Sequence, residues 1–302
     1  MGLRGRNRLI MNSFFVLAQL LLHSHALCEE PCQYVDESFQ EWRFIDKKYW
    51  AATNDPGVSP KGSPNCPGGD MIEIVGKMKI SSSQDLEQLQ KSTCTKWLET
   101  KHPERCASFD KQKWEKMRLE FPEKDMRFCI DPYEWPNRDG AAPWVMVTWN
   151  ESQKLCESRG KRLCTEDEWT FACEGEEALP FPNGYVRDTE KCNIDKSWHS
   201  YNSTAMFPRG TYKSGNELNR LWQGYLSGSR TECASPFGVH DMTGNIEEWT
   251  SASRRSKYSS ILKGGYWAGS KDQCRSSIRS HGEWHSFYQQ GFRCCSDPKP
   301  VR

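Results

Sequence analysis

The stretch of this 302-residue chain that decides its fold reads Ser235-Pro236-Phe237-Gly238-Val239-His240-Asp241-Met242-Thr243-Gly244-Asn245-Ile246-Glu247-Glu248-Trp249. Gly238 and Gly244 allow tight chain reversals, because glycine adopts backbone angles that other residues avoid. Asp241 through Glu248 then supply oxygen ligands on a sharp turn. Hard cations such as Ca²⁺ prefer carboxylate and carbonyl oxygens, so the stretch indicates a calcium site. The simpler alternative is that Asp241 and Glu248 only cap turns.

Three further segments accompany this stretch along the chain. Val147-Thr148-Trp149 precedes a helix that carries Cys156, and residues 160–169 read GKRLCTEDEW. Near the end, Lys263-Gly264-Gly265 is followed by Gly291-Phe292-Arg293-Cys294. The four segments, in this order, resemble the formylglycine-generating enzyme family, also called sulfatase-modifying factors. The resemblance implies an α+β fold: a single loop-rich domain related to the C-type lectin fold.

The resemblance also implies calcium ligands. Carried over to this sequence, the first site uses the side chains of Asp241 and Glu248 with the backbone carbonyls of Gly244 and Ile246. A second site uses Asn193 and the carbonyl of Ile194, and its remaining ligands have no counterpart that can be placed in this sequence.

Copper is the family's catalytic metal, held by two cysteines shortly after the Gly-Gly pair, and copper(I) prefers such soft thiolate ligands. Counting from Gly265 puts Gly269 and Cys274 at their positions. Counting back from Gly291 instead puts Cys274 near a structural cysteine and leaves neither copper ligand. The copper pair is incomplete in both alignments, so formylglycine generation is not expected. The family's serine and tryptophan are also replaced, by Tyr266 and Glu247.

Disulfide-bearing family members bridge the two helices of these segments to the C-terminal part of the domain. In this sequence the resemblance implies Cys156–Cys294, with Cys295 as the neighbouring alternative, and Cys173–Cys274.

Two classes of function follow. The first is a calcium-stabilised binding or interaction protein whose ligand is unknown, either a protein or a carbohydrate. Trp267 and Trp284 are its candidate contact residues, unless they fill the core. The second is a divergent oxidoreductase, dependent on non-haem iron or copper and acting on a protein or small molecule. His281, Glu283 and His285 are its candidate iron ligands, because histidine and carboxylate together suit iron. Whether the protein is an enzyme is left open, with calcium the expected metal, copper not expected and iron the alternative.

Composition and the N-terminus bear on compartment and partners. A net charge of +1 gives no electrostatic reason to expect nucleic acid as a partner. Residues 1–26 read as a signal peptide, with a basic start and a short apolar core, and no later segment is apolar enough to span a membrane. All 14 cysteines lie beyond this segment, as expected of a secreted or otherwise exported protein with disulfides.

The sequence divides into a signal peptide (1–26), a polar leader or linker (27–65) and one sulfatase-modifying-factor-like domain (66–302). Residues 71–75 and 127–131 read as strands, and residues 84–97 as a short helix. A helix over 152–158 is expected to be capped by Thr148 or Asn150, and another to begin at Thr165 with Glu168 completing a capping box. Beyond Gly175 the pattern predicts mostly loops and short strands.

Overall fold

A computed structural model describes residues 57–81, 83–98 and 105–300, together with two short strands before them. The predicted signal peptide lies outside the described residues. The mixture of helices and strands confirms the predicted α+β class. The helices are α1 (Ser83–Lys91), α2 (Lys111–Arg118), α3 (Trp149–Ser158), α4 (Glu166–Glu174), α5 (Ser203–Met206) and α6 (Tyr212–Leu221). The strands are β1 (Cys32–Tyr34), β2 (Trp42–Phe44), β3 (Ile72–Lys79), β4 (Cys94–Trp97), β5 (Cys106–Phe109), β6 (Glu123–Ile130), β7 (Arg162–Leu163), β8 (Glu247–Ser251), β9 (Ser260–Lys263), β10 (Ser277–Ile278), β11 (Gln290–Phe292) and β12 (Cys294–Ser296).

Two four-stranded sheets form the framework. The first has the order β3-β6-β12-β7, and the second has the order β10-β9-β8-β11. In the first sheet, β3 and β6 pair antiparallel along their whole length, from Ile72 opposite Ile130 to Lys79 opposite Glu123. In the second sheet β11 runs parallel to β8, while the other pairs are antiparallel. Two smaller hairpins, β1-β2 and β4-β5, complete the strand pairing of the described residues.

The two large sheets meet at Arg293. Strand β11 ends one residue before it and β12 begins one residue after it, so the chain crosses from one sheet to the other here. The Arg293 side chain is fully buried and donates to both carboxylate oxygens of Glu248, each at 2.7 Å. A buried guanidinium requires a paired anion, so this two-point ion pair fixes the junction between the sheets.

The helices with capping signals begin where the sequence predicts. Thr148 accepts a hydrogen bond from the N–H of Glu151, whose carboxylate accepts from the N–H of Thr148 in return. Thr165 and Glu168 make the same reciprocal pair at the start of α4. Each box satisfies two backbone donors that a helix start leaves unpaired.

Two local predictions were wrong. Residues 84–97 are not one helix: α1 ends at Lys91 and the chain continues as β4, which pairs with β5 and is bonded to it through Cys94–Cys106. The ten-residue helix α6 lies in the region predicted as loops and short strands. Its buried face combines Leu218 and Leu221 with small and polar residues, so few large apolar residues mark it in the sequence.

The core lies on both sides of the framework. Helix α4 packs on the first sheet, with Trp169 and Phe171 against Ile74 and Phe128. Helix α3 packs on the second sheet in a cluster that includes Leu155, Trp249, Leu262 and Phe292. No helix in the described part of the chain is long and apolar enough to cross a membrane.

Disulfides tie these layers together. Among the described residues six are present: Cys66–Cys129, Cys94–Cys106, Cys156–Cys294, Cys164–Cys295, Cys173–Cys274 and Cys192–Cys233. They include both pairs that the family resemblance implies, Cys156–Cys294 and Cys173–Cys274. The adjacent residues Cys294 and Cys295 have different partners. Cys294 is bonded to Cys156 in α3, and Cys295 is bonded to Cys164, directly before the N-cap residue of α4.

Part of the predicted leader is packed on the domain. Strands β1 and β2 pair antiparallel within residues 27–65. Val58 and Asp139 exchange two backbone hydrogen bonds of 3.0 Å, and the Lys299 ammonium donates to the Pro64 carbonyl at 2.8 Å. Residues 57–65 therefore contact the same domain that the sequence analysis began at residue 66.

Candidate functional site

The segment that corresponds to the family's copper-binding segment forms one wall of a cleft. It follows β9 through Gly264 and Gly265, which have φ angles of 83° and 69°. Such positive angles favour glycine, so the reversal at the end of β9 depends on this pair. The chain then runs beside Lys196, whose backbone N–H donates to the carbonyl of Trp267 at 2.8 Å.

Cys274 is not a free thiol. It is bonded to Cys173 at the end of α4, and both residues are fully buried. This bond supports the alignment that was counted back from Gly291, in which Cys274 is structural. No cysteine is free among the residues that the structure describes. Because copper(I) in the family is held by two thiolates, these residues do not fit a copper centre.

An arginine occupies the space beside Gly269. A Cβ atom at Gly269 would collide with Nη1 of Arg105, which donates to Asp195 at 2.7 Å. Arg105 directly precedes β5, and the Cys94–Cys106 bridge fixes the hairpin beside it. A guanidinium therefore lies against the position that one of the two alignments assigns to a copper cysteine.

Asp195 is shared between two guanidinium groups. Arg187 donates to its two oxygens at 2.6 and 2.8 Å, in addition to the bond from Arg105. Burial would raise the pKa of Asp195, but the hydrogen bonds and charges of Arg187 and Arg105 hold it below its usual range. Arg187 also pairs with Asp272, where burial raises the pKa to about 7. The network holds Arg105 and Asp195, which line the cleft, in place.

Of the two residues that replace the family's serine and tryptophan, Tyr266 lines the cleft and Glu247 is buried close to Tyr266. Burial raises the pKa of Glu247 to about 7, and Gln289 donates to it at 3.5 Å. Burial also raises the pKa of Tyr266, whose hydroxyl is hydrogen-bonded to Tyr288. A bulky phenol and a buried acid therefore stand where the family places a small hydroxyl and an indole.

The cleft itself has a volume of about 470 Å³. Apart from Gly269, its lining residues are polar or aromatic: Arg105, Asp195, Lys196, Trp198 and Tyr266. Of the two tryptophans proposed from the sequence, Trp267 is buried in the core against Trp222 and Tyr288, and Trp284 is exposed but does not line the cleft. The exposed aromatic ring at the cleft is Trp198, which the sequence analysis did not single out.

The proposed iron ligands do not converge on one point. The rings of His281 and His285 are stacked, with centroids 4.0 Å apart and planes 9° from parallel. Nitrogen lone pairs lie in the ring plane, so two parallel stacked rings do not aim them at a shared ion. The carboxylate of Glu283 accepts from the N–H of Ser259 at 2.6 Å. This segment therefore gives no support to the oxidoreductase alternative.

The first proposed calcium site contains a buried ionic cluster. Glu248 is held by Arg293 and by the indole N–H of Trp169 at 2.9 Å, so its charge is neutralised within the protein. Asp241 accepts from the N–H of Gly228 at 2.7 Å. Burial, together with the charges of Asp241 and Glu248, raises the pKa of Glu134, a third carboxylate that the sequence analysis missed.

Calcium fits this donor set in part. Burial raises the pKa of Asp241 to about 7, with a contribution from the charge of Glu248. The cluster holds three carboxylates, Glu134, Asp241 and Glu248, but one guanidinium, Arg293, and so has an excess of negative charge. A divalent cation would relieve that excess of negative charge. Within the described ranges, no three histidine, cysteine, aspartate or glutamate side chains are placed to hold a metal ion, so the site would need the Gly244 and Ile246 carbonyls.

The second proposed calcium site has one suggestive feature. The side-chain oxygen of Asn193 is buried and makes no hydrogen bond, although its amide N–H donates to Asn245 at 3.0 Å. A buried acceptor without a partner is costly and calls for an unseen donor or cation. Ile194 follows it and is buried beside the Cys192–Cys233 bridge.

Comparison with known proteins identifies the class to which this fold and cleft belong. A family model described as the sulfatase-modifying factor enzyme 1-like domain matches residues 84–298. This is well over half of the chain, and the chain therefore belongs to the formylglycine-generating, sulfatase-modifying-factor family.

Individual relatives are more distant. The inactive C-alpha-formylglycine-generating enzyme 2 of Bos taurus is 27% identical over 163 residues, covering 51% of this chain and 50% of that protein. The formylglycine-generating enzyme of Mus musculus is 25% identical over 193 residues, covering 53% and 45%. The chain thus spans about half the length of the curated relatives it matches. The solved structure of PvdO from Pseudomonas aeruginosa superposes with a TM-score of 0.43 at 15% identity, over 78% of this chain and 96% of that one.

Proposed function

We propose that this protein is an exported, calcium-stabilised binding protein that does not generate formylglycine. One observation carries the proposal: Cys274 is bonded to Cys173 and therefore offers no thiolate to a metal. Oxidation of a substrate cysteine in this family depends on copper held by a pair of thiolates. Without such a pair, the cleft would not hold the copper on which the family's oxidation depends.

The relatives are in keeping with this proposal. The chain is similar both to a protein named as a formylglycine-generating enzyme and to one named as its inactive counterpart. The family therefore contains members that keep the fold without the activity.

Export is supported by the disulfides. Six bridges occur among the described residues, and such bonds persist in oxidising compartments rather than in the cytosol. The signal-peptide pattern of residues 1–26 points the same way.

Calcium belongs to the proposal as a structural ion. Asp241, with the carbonyls of Gly244 and Ile246, would hold it next to the acidic cluster, and Glu248 would contribute through the charge it shares with Arg293. When bound, the ion would supply positive charge to a buried site that holds more carboxylates than cations, and so stabilise the fold.

The test is an assay for aldehyde formation. The purified full chain is incubated with copper(I), oxygen and a sulfatase-type peptide that contains the cysteine oxidised by family enzymes. The masses of the products are then measured by mass spectrometry. We expect no aldehyde from the wild-type protein. The variant Gly269→Cys/Tyr266→Ser should be equally inactive, because Cys274 remains bonded to Cys173 and one thiol cannot replace two. Turnover by the wild-type protein would refute the proposal.

A further inference from the structure

The size of the cleft limits what it can bind. Its volume of about 470 Å³ lies within the range typical of small-molecule pockets. One or two sugar rings fill such a space, whereas an extended peptide of several residues needs a longer groove. The cleft therefore suits a compact ligand.

The charges around the cleft favour an anion. Arg105 and Lys196 line the cleft together with Asp195. Arg105 and Arg187 both pair with Asp195, and Arg187 also pairs with Asp272. Even with both carboxylates ionised, the three cationic groups Arg105, Arg187 and Lys196 leave one positive charge in excess. An acidic group entering the cleft would make charge-assisted hydrogen bonds and neutralise the excess positive charge.

Lys196 is held in place at the cleft wall. Its ammonium group donates to the carbonyl of Gln223 at 2.6 Å and lies 3.8 Å from the ring centroid of Tyr225. These contacts fix the charge in one position, so an anion meets a cation whose side chain is already ordered.

Trp198 provides an open aromatic face. Its side chain is 59% exposed, although its indole is hydrogen-bonded to the hydroxyl of Tyr288, which in turn bonds Tyr266. A large ring that is fixed at its polar edge and open on its face is suited to stacking against an apolar surface. The C–H face of a sugar ring offers such a surface, with polar groups around its rim.

We infer that this cleft binds a sugar bearing an acidic group, either a carboxylate or a sulfate, with Trp198 stacking on the ring and Arg105 and Lys196 contacting the anion. The inference rests on the proposed binding function and names its ligand class.

The test is titration calorimetry on the purified full chain with three probes: sodium glucuronate, glucose 6-sulfate and glucose. We expect at least one acidic sugar to bind about tenfold more tightly than glucose, as one charged hydrogen bond predicts. Arg105→Gln and Trp198→Ala should each weaken that binding by about tenfold. Trp284→Ala, which removes an 81% exposed ring outside the cleft, should leave it unchanged. Thermal melting of each variant checks that it is folded.

The outcomes separate this inference from the proposed function. Preference for glucuronate or for glucose 6-sulfate supports the inference and identifies the anion. Equal affinity for all three sugars, no binding of either acidic sugar, or acidic-sugar binding that survives both cleft substitutions overturns it. Binding of the sulfatase-type peptide without aldehyde formation, in place of the sugars, also overturns it but leaves the binding function standing. Aldehyde formation would refute the proposed function itself.

Discussion

The Cys173–Cys274 bridge allows a quantitative prediction. We expect Cys173→Ala/Cys274→Ala to lower the free energy of unfolding by about 3.6 kcal/mol. Taken alone, the bridge closes 101 residues, for which the chain-entropy model gives about 4.7 kcal/mol. The intact Cys164–Cys295 bridge shortens the remaining path to about 30 residues, which gives the smaller value.

The assay is urea unfolding under non-reducing conditions, followed by tryptophan fluorescence. The matched control is Cys94→Ala/Cys106→Ala, whose bridge closes 12 residues and is worth about 2.8 kcal/mol in the same model. The control should therefore lose less stability than the Cys173 and Cys274 variant. A loss below about 1 kcal/mol for the latter would refute the reasoning. So would alkylation of Cys274 in the native wild-type protein, because it would show a free thiol.

Three further predictions concern the buried charges. Chelation of calcium should lower the melting temperature of the wild-type protein but not that of Asp241→Asn. The control variant Asp297→Asn, whose carboxylate is exposed, should respond like the wild-type protein. A wild-type melting temperature that does not change with chelator would contradict the calcium site. In the chelated protein, the folded state holds the Asp241 proton more tightly than the unfolded state does, since its pKa is about 7 instead of 3.8. The unfolding free energy should therefore fall as pH rises from about 4 to about 7, and less steeply in Asp241→Asn; equal slopes would contradict this. Arg293→Met should cost about 3–5 kcal/mol, because it leaves Glu248 buried without its partner, and adding Glu248→Gln should recover part of the loss in urea unfolding; no recovery would show that the ion pair is not the cause.

Local signals made much of the fold predictable. The capping boxes at Thr148 and Thr165 depend on residues three positions apart, so the sequence contains the whole interaction. Helix α6 was missed because only Leu218 and Leu221 mark its buried face. Residues 94–97 were predicted as helix because their pairing with β5 and the bond to Cys106 lie outside any local window.

The candidate site was less predictable, because distant segments build it. Arg105 reaches Asp195 across 90 residues, and it comes from a part of the chain that carries no family motif. Trp198 is one of 13 tryptophans, and its exposure depends on how residues 195–198 lie beside the segment after β9. The loss of the copper pair, in contrast, is a prediction that needs only residue identities within one segment.

The central claim is that this family member has no two-thiolate copper centre, and copper(I) affinity tests it most directly. The native protein is titrated against a chromophoric copper(I) chelator under anaerobic conditions, without reductant that would open the disulfides. The account predicts that the chelator keeps the copper, for the wild-type protein and for Gly269→Cys/Tyr266→Ser alike, since Cys274 stays bonded to Cys173. Removal of one equivalent of copper(I) from the chelator by the wild-type protein would contradict it.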